Sequence, residues 1–238
     1  MALLMRSGAL QDNSTIDPHG HIYTKAGVEI IQLGDLGDYT TLSQVGDLLS
    51  WEIAHKFGFK VLWGNHDWAL KDRDKHGFKG QTNPLPRTRD YILGMKPVFA
   101  LAREGVLLTH AGLHPHYASV GEHTEKTAEM LAGLINNVWQ TGRLNVIDDI
   151  GPSRGGRAEQ GGILWRDARE ALLDVPQVFG HSSGGLIRRY NGHSLCIDVG
   201  SKRNGNLAGV WLDTMQVVAV GPDAEQHENY PPHDGEPV

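Results

Sequence analysis

Four short polar signatures, each directly after an apolar run, constrain this chain more than any other feature. Gly34-Asp35-Leu36-Gly37-Asp38 follows VEIIQL, and Gly64-Asn65-His66-Asp67 follows FKVLW. His110-Ala111-Gly112 follows GVLLT, and Gly180-His181 follows PQVF. Short apolar runs closed by Gly, Asp or Asn read as buried strands. In open α/β sheets the loops at the carboxyl ends of strands converge on one crevice. The pattern therefore predicts an α/β fold that gathers a carboxylate, an amide and two imidazoles. Oxygen and imidazole donors without thiolate suit manganese, iron or zinc rather than a structural cysteine–zinc site.

Strands are expected at Val28–Leu33, Lys60–Trp63, Val106–Thr109, Gln177–Phe179, Ser194–Val199, Ala208–Leu212 and Gln216–Val220, the last three as a meander with Gly- or Asp-containing turns. Helices are expected at Ala2–Leu10, Leu42–Phe57 and Glu125–Thr141. The second of these carries Val45, Leu48, Leu49 and Ile53 at helical spacing and ends before Gly58. Early strand–helix alternation followed by a β-rich end predicts two packed sheets flanked by helices.

At 238 residues and 39% hydrophobic content the chain suffices for one large domain. A net charge of −6 opposes broad electrostatic binding of nucleic acid or membrane, so neither is expected as a partner. The single cysteine, Cys196, lies in an apolar run and reads as a buried, inert thiol. No stretch approaches signal-peptide or membrane-spanning length, and a cytoplasmic protein is expected. Residues 71–96 hold seven Lys or Arg against three Asp, which reads as a solvated loop or a basic flap over a phosphate pocket. Gly151–Gly162 is Gly-rich with Arg154 and Arg157 but lacks a GK[ST] phosphate loop. The tail 222–238, with four Pro and five acids and no Lys or Arg, is expected to be disordered.

In their order, LGDLGDY, WGNHDW, THAGL and FGHSS resemble the G-D-x-x-D, G-N-H-[DE], H-[AG]-G and G-H segments of the calcineurin-like metallophosphoesterases. The nearer resemblance is to the branch containing serine/threonine protein phosphatases and diadenosine tetraphosphatases, over residues 1–221. Leu164-Trp165-Arg166-Asp167 and Cys196-Ile197-Asp198-Val199-Gly200 resemble further segments of that branch. The resemblance implies a four-layer α/β/β/α sandwich of two mixed sheets. It also implies two divalent ions, manganese above all, with iron or zinc as alternatives. Asp35 would bridge them, and Asn65, His110 and His181 would complete the shell of one. His66 would be the general acid, with Asp67 orienting its ring and Asp38 as a secondary acid.

The family's opening D-x-H-G strand end has no counterpart in its usual place, because the chain opens on LLMRSGAL, which reads as the helix after that strand. A literal Asp17-Pro18-His19-Gly20 follows polar turn formers, and fourteen positions separate Gly20 from Gly34, short for a helical crossover. It reads as a loop coincidence, with a displaced ligand pair as the alternative, so the fold is expected to lack its first strand. The positions where protein phosphatases carry phosphate-gripping arginines hold Tyr39 and Trp63 here. Arg87, Arg89, Arg154, Arg157 and Arg166 are the substitutes available, with Arg87, Arg89 and Arg166 as substrate-binding candidates. His114 and His116 stay unassigned.

The function expected is hydrolysis of a phosphorylated substrate, either a phosphoprotein-type monoester or a nucleotide polyphosphate, by a metal-bound hydroxide. A catalytically silent metal- or partner-binding module on the same scaffold is the alternative, and the intact GNHD turn argues against it. A zinc amide hydrolase is disfavoured, since there is no H-E-x-x-H pair.

Overall fold

The computed structural model describes residues 27–37, 44–70, 83–119, 126–138, 140–225 and 233–234. The expected helix Ala2–Leu10, the pair Asp17 and His19, the secondary acid Asp38, Tyr39 and the basic stretch 71–82 lie outside the described residues. The described chain is mixed α/β and forms two compact units that divide between Val98 and Phe99.

In the first unit, strands β1 (Ile31–Gln32) and β2 (Lys60–Val61) pair in parallel, Ile31 opposite Lys60 and Gln32 opposite Val61. Helix α1 (Gln44–Lys56) connects towards β2, the short α2 (Asn65–Trp68) follows it, and α3 (Pro86–Met95) packs on α1. The core is built on Trp51, Ala54, Leu62, Trp63, Trp68 and Ile92. The face that α1 buries is not the aliphatic stripe of the sequence. Asp47, Trp51 and Ala54 are buried, whereas Val45, Leu49 and Ile53 are 66%, 52% and 39% exposed. Trp51, a large aromatic side chain, is fully buried, so the opposite side of the helix faces inward. Helix α3 occupies what reads in sequence as a charged loop. Pro86 starts it at the first helical position, Thr88 and Ile92 face inward, and Lys96 closes it in a left-handed cap. Glu52 of α1 pairs with Arg87 of α3 at 3.6 Å, and His55 stacks obliquely on Tyr91.

In the second unit, a six-stranded mixed sheet runs in the order β10 (His233–Asp234), β6 (Arg188–Tyr190), β7 (Ser194–Cys196), β5 (Gln177–Phe179), β4 (Val106–Thr109), β3 (Ala100–Arg103). Pairings β4–β5 and β5–β7 are parallel, while β3–β4 and β6–β7 are antiparallel. All four residues of β4 are buried, as a central strand between two neighbours requires. The expected three-strand meander does not form. Strand β7 sits inside the large sheet, and β8 (Leu207–Trp211) with β9 (Gln216–Val220) makes a separate hairpin. The helical turn α6 (Ser201–Asn204), bracketed by Gly200 and Gly205 in left-handed conformations, redirects the chain between them. Of the tail 222–238, Ala224 is buried, Asp223 exchanges two hydrogen bonds with Asn206, and His233–Asp234 pairs in parallel with β6.

Helix α4 (Ala128–Val138) lies on β3 and β4, burying Ala128, Leu131, Ala132, Ile135 and Val138 at helical spacing. Its polar anchor is Asn136, whose Oδ1 accepts the Phe99 and Ala100 main-chain N–H groups and whose Nδ2 donates to the Ala100 carbonyl. Asn136→Ala leaves three main-chain groups without these partners and is expected to cost about 1–3 kcal/mol in urea unfolding. A loss below about 0.5 kcal/mol would show the anchor to be dispensable.

Candidate functional site

Two of the four signatures belong to each unit, and in each unit they stand at the ends of adjacent parallel strands. In the first unit, Gln32 folds the turn after β1 by accepting the Gly34 N–H at 2.6 Å and donating to the Gly34 carbonyl at 2.8 Å. The next residue, Asp35, has φ +56°. Its N–H donates to Asp67 Oδ2 at 2.6 Å, and the same oxygen accepts the Gly64 N–H at 3.2 Å. Asp35 Oδ1 in turn accepts the His66 N–H at 3.0 Å. Asp67 is fully buried, Asn65 nearly so, and His66 half-buried. Gly64 is fixed by this packing, because a Cβ there would collide with the Asp35 carboxylate and main-chain nitrogen. The unit thus brings Asp35, Asn65, His66 and Asp67 together. It places Asp67 Oδ2 on main-chain N–H groups, a bracing role that the motif alone does not disclose.

In the second unit, Leu107 and Leu108 of β4 align with Gln177 and Val178 of β5, so the two strand ends lie side by side. The Gly180 N–H donates to the His110 carbonyl at 2.8 Å. His110 Nε2 and His181 Nδ1 stand 3.0 Å apart, with the rings edge to face. That separation suits an N–H···N hydrogen bond or two lone pairs aimed at one cation. Two ring nitrogens each about 2.1 Å from an ion, at right angles, are about 3.0 Å apart. Trp165 packs edge-on against His181 and shields one side of the pair.

Beside His181, Ser182 Oγ accepts from Arg154 Nη2 at 2.7 Å and from the Ala168 N–H at 3.1 Å. Arg154 Nε lies 2.9 Å from Asp167 Oδ2, Arg169 Nε donates to Asp167 Oδ1 at 2.8 Å, and Arg188 donates to the Ser182 carbonyl. Two guanidinium groups thus share one carboxylate, and a third, that of Arg188, holds the main chain at Ser182, the residue after His181. Burial alone would favour neutral Asp167, but the Arg169 hydrogen bonds and the charges of Arg154 and Arg169 outweigh it and hold the carboxyl below its ordinary range.

Of the arginines singled out in the sequence, Arg154 belongs to this cluster and the others lie elsewhere. Arg166 is fully buried, donating to the Ala171, Ala111 and Glu170 carbonyls and lying over the Phe179 and Tyr190 rings. Burial lowers its pKa to about 10, which leaves it charged at neutral pH as a core tie rather than a phosphate ligand. Arg87 engages Tyr91 and Glu52 on the surface of α3, and Arg89 is exposed on the same helix. Arg157 is exposed, and the His116 N–H donates to His114 Nδ1. Trp63, at one classical arginine position, is buried edge-on against Trp68. Arg169 escaped the sequence reading. Its spacing two residues beyond Asp167 was the available signal, weak because such pairs are common on surfaces.

Backbone strain marks the same residues. Among the described residues, six non-glycine positions have positive φ: Asp35, Lys96, Glu104, His181, Asn191 and Met215. Lys96 caps α3, and Glu104, Asn191 and Met215 belong to the turns between β3 and β4, β6 and β7, and β8 and β9. His181, at +68°, is the central residue of a tight turn closed by the Ser182 N–H on the Gly180 carbonyl at 2.8 Å, and Asp35, at +56°, belongs to the turn after β1. Each such residue costs about 1–3 kcal/mol, and strain of this kind concentrates at functional sites.

No family model matches the chain, and no curated protein matches it. Among solved structures, the crystal structure of a candidate diadenosine tetraphosphatase superposes with a TM-score of 0.47 and 15% identity, over 81% of this chain and 80% of that one. No helix among the described residues is long and apolar enough to cross a membrane.

Two outcomes follow from the geometry. At an unstrained position Gly is less stable than Ala, but at φ +68° the order inverts. His181→Gly is therefore expected to exceed His181→Ala by about 1 kcal/mol in urea unfolding of the metal-free protein. Asp167 has a depressed folded pKa, so its contribution to stability is present above about pH 4, the unfolded value, and is lost as pH falls through the folded value. Asp167→Asn is expected to flatten that acid limb of stability against pH, and an unchanged limb would contradict the clamp.

Proposed function

We propose that this chain is a metal-dependent phosphoesterase, with Asp35, Asn65, His110 and His181 as the residues that would hold a divalent cation. The observation that carries the reading is that Asp35 and His181, both held at left-handed φ in the turns directly after their strands, are both members of the four-signature set. A side chain kept in a costly backbone conformation is best accounted for by a ligand it must reach. The donors are carboxylate, amide and imidazole, which suit manganese, with iron or zinc as alternatives. By the family resemblance Asp35 would also serve a second ion.

Bound divalent ions supply a hydroxide nucleophile near neutral pH, lowering the pKa of water from 15.7 to about 7, and offset charge on the phosphoryl oxygens. The chain's own part is to orient the ester and to move one proton. His66, half-buried and tied through its N–H to Asp35, is the donor to the leaving oxygen. Arg154 and Arg169 share a single carboxylate, so the cluster keeps net positive charge beside His181. They replace Arg87, Arg89 and Arg166 as the groups that grip substrate phosphate. The substrate is a phosphorylated protein or nucleotide. A four-layer sandwich and a cytoplasmic setting belong to the same reading. The six-stranded mixed sheet with α4 against it is compatible with one sheet–helix half of such a sandwich.

Manganese-stimulated release of p-nitrophenol from p-nitrophenyl phosphate tests this reading. Asp35→Asn is expected to abolish the stimulation. His66→Asn is expected to lower kcat about 10²–10⁴-fold without changing manganese affinity. Turnover by both variants equal to the unsubstituted protein, or manganese binding without any turnover, would overturn it, the latter in favour of a silent binding module.

A further inference from the structure

We infer that Asp67 is a positioning residue for the Asp35 ligand, setting metal affinity, rather than only the partner of the His66 ring that the motif suggests. The inference rests on the phosphoesterase reading. Its basis is one oxygen: Asp67 Oδ2 accepts the main-chain N–H groups of both Asp35 and Gly64. These belong to the turns after β1 and β2, thirty-two and three positions from Asp67 in the chain. The bond to Asp35 is the shorter, at 2.6 Å, and falls on a residue with left-handed φ. A fixed acceptor at that nitrogen dictates the peptide orientation, and with it the direction in which the Asp35 side chain leaves the turn. The reverse contact, His66 N–H to Asp35 Oδ1, steadies the carboxylate from the same short helix. Gly64 lets the two turns approach so closely that no Cβ fits between them. Asp67 itself is fully buried, so its charge meets these N–H groups without competition from water.

Residues that orient a metal ligand typically change affinity about 10–100-fold when removed. In the full chain stripped of metal, isothermal titration with manganese is expected to show Asp67→Ala binding about 10–100-fold more weakly, and Asp67→Asn, which keeps an oxygen acceptor but not the charge, falling between. His66→Asn is expected to bind manganese as the unsubstituted protein does. Circular dichroism of the metal-free variants separates lost affinity from lost folding, and Asp67→Asn carries the test if Asp67→Ala does not fold. Unchanged manganese affinity in the Asp67 variants, with kcat reduced and the acidic limb of its pH profile displaced, would assign Asp67 to His66 alone and overturn the inference. If the unsubstituted protein binds no manganese, the phosphoesterase reading fails with it.

Discussion

The first unit depends on a buried carboxylate that ties two turns together. Asp67 Oδ2 holds the N–H groups of Asp35 and Gly64, the residues at which the chain leaves β1 and β2. A hydrogen bond to a charged acceptor contributes about 1.5–3 kcal/mol, while a non-glycine residue in the left-handed region costs about 1–2 kcal/mol. The bond therefore offsets the strain at Asp35 with little to spare. Asp67 is fully buried, and in such dry surroundings the bond is strong. A dyad that reads as catalytic in sequence is thus also a structural joint.

The second unit reaches a comparable result by a different route. Its two histidines need no shared carboxylate, because β4 and β5 are hydrogen-bonded parallel neighbours and their ends arrive together. Register alone delivers His110 and His181 to 3.0 Å. What the sheet does not provide is cationic charge, and this comes from the loop around residues 151–169 folding onto Ser182. Asp167 orders that loop by taking one guanidinium on each oxygen, so that Arg154 and Arg169 are held in place rather than left as mobile surface groups.

Much of this was legible in the residues. Strands at 60–61, 106–109, 177–179, 194–196 and 216–220 and helices at 44–56 and 128–138 fall within the segments that periodicity and turn chemistry indicate. Helix Pro86–Met95 was masked by its charges, since Thr88 and Ile92 are all it buries. Strands β3 and β6 were missed because Arg103, Arg188 and Arg189 break the apolar alternation. The rotation of α1 went the wrong way for a related reason: helical spacing identifies two candidate stripes, and only the neighbouring surface decides between Trp51 and the aliphatic row.

The sequence by itself determined where each of the four polar turns stands, because a turn after a strand is specified by a few adjacent residues. It also determined the chemical character of the donors. Only the tertiary structure decided that Asp35 and His181 bear left-handed strain, that Asp67 braces the Asp35 turn, and that Arg166 belongs to the core while Arg154 and Arg169 flank Ser182. Those outcomes come from hydrogen bonds and burial between segments far apart in the chain. Local pattern carries no record of which distant carbonyl, carboxylate or ring a side chain will meet.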